Sequence, residues 1–389
     1  MDQKAIYSFI DDLGKFLHGS QLKSLARVVM AIVAVGQART WPLASFISQQ
    51  SHIGFKSALQ AVGRLLGNRR LDFWHLGARL LQTITRQGDL VPLAVDWTEW
   101  QEPMRVLVGA AVIGKRAIPV AAEGFDRNNM PRSQNARENT FLCLLKRLAG
   151  EACRHLVILT DRGFRRVSWV QQLMALHMEF VVRLMTDVMV RRPGDDRGIR
   201  LRDIALKPGH MLELGQVALR QDQAVHVRVV GIWAKGQKEP WWLATSLTIS
   251  MAQVASWYDR RMGVEEQLRD SKGTRYGVEL IWNVFQQPER IGRFFVLVGI
   301  AMTLWTMAGV QIAKQDPTAR YSHKTKGPRR SHVSIGRQAL GGIGYLTRQD
   351  MANTWFIRRS LPRVELRPIG RGLKKIPPSV AWQRGEEKK

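Results

Sequence analysis

The chain's hydrophobic periodicity predicts an α/β fold: a mixed sheet carrying a β-rich insertion, preceded by a helical N-terminal domain. Three features carry that reading. Apolar residues recur at helical spacing through residues 1–88 and give way to strand-like runs past Gly88. Strand and helix patterns then alternate as βββαβαβ, followed by a helix, which implies parallel strands joined by helical crossovers. A basic, strand-like stretch over 188–249 separates the last of these strands from a segment with a helix start signal at Ser250.

Within the N-terminal region, Leu22–Val35 reads as a core helix and Pro42–Gln50 as a short one. A turn at Ser51–Gly54 leads to a second helix, Phe55–Leu66, stopped by Gly67-Asn68. That second helix carries Lys56, Gln60 and Arg64 and is trailed by Arg69 and Arg70. Two short helices around a small-residue turn can set a recognition helix in a major groove, and they are also ordinary bundle parts. Charge tips the balance to DNA.

The expected strands are Val91–Asp96, the pair Arg105–Ile113 and Ala117–Ala122 around a Gly114-Lys115 turn, Leu156–Asp161 and Phe180–Leu184. Helices are expected at Glu138–Leu148 and after Gly163. In the insertion, Val225–Trp233 alternates most clearly, and Lys238-Glu-Pro-Trp-Trp-Leu-Ala-Thr ends it. Phe294–Ala313 runs without a charge. Its length would span a bilayer, but a helix buried on all sides of a soluble core accounts for it better. The domain boundaries that follow are 1–88, 89–187, 188–249, 250–313 and a basic tail, 314–389, expected to be partly disordered or ordered by DNA or a partner chain.

Across 389 residues, 59 Lys and Arg face 32 Asp and Glu, a net charge of +27. Lys314–Lys389 holds 18 basic and 5 acidic residues, so +13 of it lies in the tail. This excess points to a polyanionic partner, nucleic acid before anionic membrane. Two cysteines exclude a disulfide framework and a cysteine-based zinc site, and fit a reducing cytoplasm. Histidine spacing gives no metal pair, and the N-terminus has no signal pattern.

Chemistry concentrates in Ser250–Gly273. Ser250 and Gln253 form a capping-box signature, Gly273 a stop, and five to six helical turns lie between. On such a helix Tyr258, Arg261, Glu265 and Lys272 share a sector of about 60°. Alone, that row reads as a solvated face with one weak ion pair. It gains weight from Asp96 and Asp161, each ending an apolar strand, where a lone buried acid is costly. If the strands are neighbours, Asp96, Asp161 and Glu265 form a carboxylate cluster suited to Mg²⁺. Two such ions promote in-line phosphoryl displacement. Arg261 and Lys272 would hold DNA phosphates, with Tyr258 bonding or stacking. Glu99 and Glu266 rank below Glu265; Glu266 lies about 80° from Tyr258 on the wheel, outside the sector.

On these residues the chain resembles the DDE transposases of bacterial insertion sequences, in the group marked by Tyr-(2)-Arg-(3)-Glu-(6)-Lys. Tyr258, Arg261, Glu265 and Lys272 meet that spacing in full. Val-Asp96-Trp-Thr and Leu-Thr-Asp161-Arg-Gly-Phe match the group's two aspartate motifs. The resemblance covers about residues 55–280 and implies a ribonuclease H-like catalytic core interrupted by the β-insertion. It further implies cut-and-paste transposition: binding of terminal inverted repeats, hydrolysis at the element ends, a hairpin intermediate, and transfer of the 3′-ends into target DNA. Two Mg²⁺ ions per site, replaceable by Mn²⁺, a homodimer pairing two double-stranded ends, and a cytoplasmic, nucleoid-associated setting follow from it too. Trp241 aligns with the family's base-stacking aromatic, with Trp242 beside it; a tryptophan pair is equally ordinary core material. Two other readings are a ribonuclease H-like nuclease or resolvase without strand transfer, and a catalytically silent DNA-binding derivative.

Overall fold

The computed structural model describes residues 3–85, 88–114, 116–130, 132–219, 225–266, 278–320, 330–341, 369 and 372–377. The chain is mixed α/β, and its elements cluster into two compact units that interleave along the sequence. The first comprises 1–89, 97–134 and 263–364; the second comprises 90–96, 135–262 and 365–389. The units therefore cut across the five sequential stretches: the N-terminal helices cluster with the β-hairpin and the long apolar helix.

In the first unit five helices lead: α1 (Gln3–Leu13), α2 (Gly19–Val35), α3 (Thr40–Ser51), α4 (Phe55–Gly67) and α5 (Phe73–Thr85). α2 starts at a capping box in which His18 and Gln21 satisfy each other's backbone, and it stops at Gly36 in the left-handed region. Strands β2 (Met104–Ile113) and β3 (Arg116–Asp126) form an antiparallel hairpin with a register shift at Gly109/Ala110.

The apolar run becomes the helix α9 (Pro288–Gln315), six residues longer at its start because Pro288 occupies the first turn, where no backbone N–H is needed. It packs on β3, α2 and α5. Every residue from Phe294 to Val310 is buried, so the absence of a polar face reflects contact on all sides. This is the one helix among the described residues long and apolar enough to cross a membrane, and 89% of its most apolar window is buried inside the protein. Its glycines mark backbone contacts. A Cβ on Gly299 would drive into the Pro119 carbonyl of β3, and one on Gly309 into the carbonyl of His332.

That second contact belongs to the basic tail. His332–Leu340 is a helix, α10, capped by Ser331 and docked through Gly336, which meets the Trp305 carbonyl of α9. In the second unit, Lys374–Ile376 forms a short strand, β11, parallel to residues His210 to Leu212. These parts of the basic tail are ordered on the protein itself.

The second unit is built on β1 (Val91–Glu99, through Asp96), α6 (Gln134–Ala149), β4 (Leu156–Thr160), α7 (Val167–Ala175) and β5 (Glu179–Leu184). β1, β4 and β5 pair in parallel, as helical crossovers require. The stretch expected as an insertion supplies β6 (Met189–Arg191), β7 (Ile199–Arg200), β8 (His210–Leu219), β9 (Val225–Trp233) and β10 (Trp241–Thr245). It is not a separate sheet. β10 pairs antiparallel with β5, giving the order β1-β4-β5-β10-β9-β8-β6-β7. The helix α8 (Met251–Asp259) follows, with the Ser250/Gln253 capping box formed in full.

Candidate functional site

The register of two parallel strands places the first pair of carboxylates. Val91 to Ala94 on β1 face Leu156 to Leu159 on β4. Carried two residues past the last matched pair, the same offset aligns Asp96 with Asp161, the residue that follows β4. Being even steps from a matched pair, both side chains leave the same sheet face, on strands about 4.8 Å apart. Apolar runs deliver them there: Val91–Val95 and Leu156–Thr160 are buried throughout.

Each aspartate is compensated locally. The Asp161 carboxylate accepts the Gly163 N–H at 2.8 Å and caps the short 3₁₀ turn Arg162–Phe164. Asp96 accepts from Arg261 Nη1 at 3.4 Å, with side chains 18% and 8% exposed respectively.

The row continues on β5 and β10. Thr160 faces Val182, so Arg183 follows opposite Asp161, and Arg183 in turn faces Leu243 of β10. The Glu239 carboxylate binds Arg183 at 2.8 Å and Arg162 at 3.0 Å. Trp241, two residues before Leu243, lies on the same face, half-buried, and meets the Tyr258 ring edge-on with centroids 5.0 Å apart. Arg261 lies 5.7 Å from the centroid of that ring. Tyr258 is 2% exposed, and its hydroxyl has no hydrogen-bond partner among the described residues. Burial pushes the phenol's pKa above its ordinary value, against the opposing pull of the Arg261 and Arg183 cations. Trp242 points to the other face and is core, its ring filling the space over Gly231.

One expectation is corrected. The single helix of five to six turns ends at Asp259; Arg260 and Arg261 form a turn, and the chain is helical again over 262–266. Arg261 N–H bonds back to the Tyr258 carbonyl, three residues away. Two forces favour the break: Arg261 turns in to Asp96, and Gly263 is a poor helix former. Tyr258, Arg261 and Glu265 therefore do not share one helix face.

Glu265 falls in the first unit, exposed, beside buried Val264. Its neighbour Glu266 pairs with Arg116 at 3.9 Å, and Glu99 with Arg105 at 2.8 Å. Lys272 lies outside the described residues. Among the described residues no three acidic, histidine or cysteine side chains converge as a metal-holding group. On α4, Lys56, Gln60 and Arg64 are exposed on the side away from buried Ala58, Val62, Leu65 and Leu66, and Arg69 and Arg70 are exposed beyond its end.

Sequence reasoning missed Arg162, Arg183 and Glu239. The signal for Arg183 is a register: it sits as far past Asp161 as Val182 does past Thr160. Glu239 lies between Lys238 and Pro240, where no periodic pattern marks it.

Residues 122–281 match a family model described as the transposase DDE domain. The matched stretch contains Asp161, Trp241, Tyr258, Arg261, Glu265 and Lys272; Asp96 precedes it. No curated protein matches the chain. The family match supports a DDE-type transposase of the insertion-sequence kind, a nucleic-acid-cleaving enzyme with DNA as its partner, and a mixed α/β fold fits such a domain. Enzymes of this type generally use divalent metal.

Proposed function

We propose that this protein is a cut-and-paste DNA transposase of the Tyr-Arg-Glu-Lys group, with a ribonuclease H-like catalytic core. In this reading it binds terminal inverted repeats, cuts at the element ends through a hairpin intermediate and joins the freed 3′-ends to target DNA. The observation that carries the reading is the β1–β4 register that sets Asp96 against Asp161 on one sheet face, with Arg261 beside them. A finer kinship, to the transposase of the tetracycline-resistance composite transposon, rests on Gly63-Arg-Leu-Leu-Gly-Asn68 and Lys238–Thr245.

The donor set fits a hard cation: two carboxylates from adjacent strands, both reachable from one face, accept oxygen-preferring metals such as Mg²⁺ or Mn²⁺. Asp96, Asp161 and Glu265 would hold it. When bound, a two-ion centre supplies an activated attacking oxygen and stabilises the leaving one.

The remaining steps fall to side chains. Arg261, fixed against Asp96, presents a guanidinium to the scissile phosphate, and Lys272 adds a second cation. Tyr258 bonds to a phosphate or stacks, its ring set edge-on to Trp241. Trp241 offers a half-buried π-face to an unstacked base. Lys56, Gln60, Arg64, Arg69 and Arg70 hold the duplex, and two copies pair the two ends. The reading places the protein in the cytoplasm at the nucleoid.

Incubation with Mg²⁺ and a linear duplex carrying the element's own end tests it. Hairpins and joined products are expected. Nicks without joining would favour a ribonuclease H-like nuclease or resolvase, and binding without any cleavage a catalytically silent derivative. Glu265→Gln should abolish cleavage while end binding persists; lost binding would assign Glu265 a structural role.

A further inference from the structure

One oxygen in the second unit is shared by two cations. Oε1 of Glu239 accepts Arg183 Nη2 at 2.8 Å and Arg162 Nη1 at 3.0 Å. Arg162 directly follows Asp161 in the chain. Arg183 comes one residue after Val182 on β5, just as Asp161 comes one after Thr160, the partner of Val182 on β4. Two guanidinium groups therefore flank the Asp161 end of the sheet, and one carboxylate holds both. The Arg183 side chain is 16% exposed, those of Glu239 and Arg162 46% and 55%.

As a fastener this bridge contributes little, because ion pairs so open to water add almost nothing to stability. Nor does β10 need it. The backbone of β10 pairs with β5 on one side and β9 on the other. The turn before it closes on itself: the Gln237 N–H donates to the Ala234 carbonyl, and the Gln237 side chain accepts the Ala234 N–H. A fastening arginine in the same sheet looks different. Arg228 binds Glu213 at 2.7 Å and also donates to the Leu247 and Ile249 carbonyls, both at 2.7 Å.

What the bridge does resemble is an anion site. A guanidinium grips carboxylate and phosphate oxygens through the same planar donors, so the Glu239 oxygen stands where a phosphodiester oxygen fits. Trp241, two residues on, is half-buried on the sheet face that carries Arg183. The inference rests on the proposed function, which brings a DNA strand to Asp161. We propose that Arg162 and Arg183 form a phosphodiester site beside Asp161, and that Glu239 fills it until a DNA strand displaces the carboxylate. The exchange keeps both cations paired with an anion throughout, and the released carboxylate, already half in water, gives up little.

The test uses the full-length protein and a linear duplex bearing the element's own end, its last bases unpaired so that a strand reaches the site. Kd is measured in EDTA, with Tm for every variant. Glu239→Gln should bind roughly fivefold tighter at unchanged Tm, the strength of an exposed ion pair that no longer has to be broken. Arg183→Gln should weaken binding about tenfold, the loss expected of a charged hydrogen bond, and in that background Glu239→Gln should gain much less. If Arg183→Gln does not fold, the more exposed Arg162→Gln carries the same comparison. Glu213→Gln removes the same charge from the Arg228 pair and should leave Kd within about twofold, which separates a local competitor from a general change of charge. Unchanged or weaker binding by Glu239→Gln, or an equal gain by Glu213→Gln, would overturn the inference while wild-type protein still cuts and joins. A wild type that neither cuts nor joins would refute the proposed function and take this inference with it.

Discussion

Arg261 sets its Nη1 3.4 Å from Oδ2 of Asp96, a residue 165 positions earlier in the chain. With the guanidinium almost wholly buried, the pair is partly shielded from water and each member relies on the other. Arg261→Ala is expected to cost about 1–3 kcal/mol, the penalty for leaving a polar group without its partner. Arg261→Lys keeps the charge without the planar fork and should lie in between. Urea unfolding of Asp96→Ala, Arg261→Ala and the double variant checks this. Strictly additive effects would show that the two are not coupled.

Adjacent tryptophans should behave in opposite ways. Trp242 is core, so Trp242→Ala should destabilise the protein by about 3–5 kcal/mol. Trp241 is half-buried against Tyr258, and its replacement by Ala should cost less stability but weaken binding of DNA with an unpaired base by about 1–3 kcal/mol. Thermal melts and competition binding separate the two. Equal losses of stability would contradict the assignment.

The exposed face of α4 predicts a salt signature. Lys56→Ala and Arg64→Ala should each weaken binding evenly across sequences and lower the slope of log K against log salt by about one. Gln60→Ala should leave the slope unchanged. A slope unaffected by either cation would remove α4 from the DNA contact.

Much of the site was legible because short-range patterns determine it. Buried parallel strands read as unbroken apolar runs, so an acid at the end of each had to emerge at a sheet end, and the 65-residue separation of Asp96 and Asp161 equals the β1–β4 register offset. The Ser250 cap was likewise readable, being local. The break after Asp259 was not, because helical periodicity cannot register the pull of Asp96 on Arg261 across the fold. Nor was helix His332–Leu340: its docking depends on Gly336 meeting the backbone of α9, and a glycine in a basic tail looks like any other. Arg183 and Glu239 escaped for a similar reason, since their pairing spans β5 and the turn before β10.

The two cysteines offer a check by pH. Cys143 is exposed and Cys153 buried, and burial pushes the Cys153 thiol up to about 11. Only Cys143 should react quickly with a thiol reagent near pH 8. Because the folded-state value is raised, the stability this thiol contributes is complete below pH 9 and is lost as pH climbs toward 11. Cys153→Ala should therefore flatten the decline in stability over that window. An unchanged decline, or rapid reaction of both thiols, would contradict the burial of Cys153.

The central claim is that Asp161, with Asp96, holds the divalent metal that acts on DNA, and exchanging the ligand atom tests it most directly. Cleavage of an element-end duplex by Asp161→Cys should be lost in Mg²⁺ and regained in Mn²⁺, because a thiolate binds the softer ion far better than the harder one. Wild-type cleavage should proceed in both. Undiminished cleavage by Asp161→Cys in Mg²⁺, or a loss that Mn²⁺ does not relieve in a folded, end-binding protein, would contradict the account.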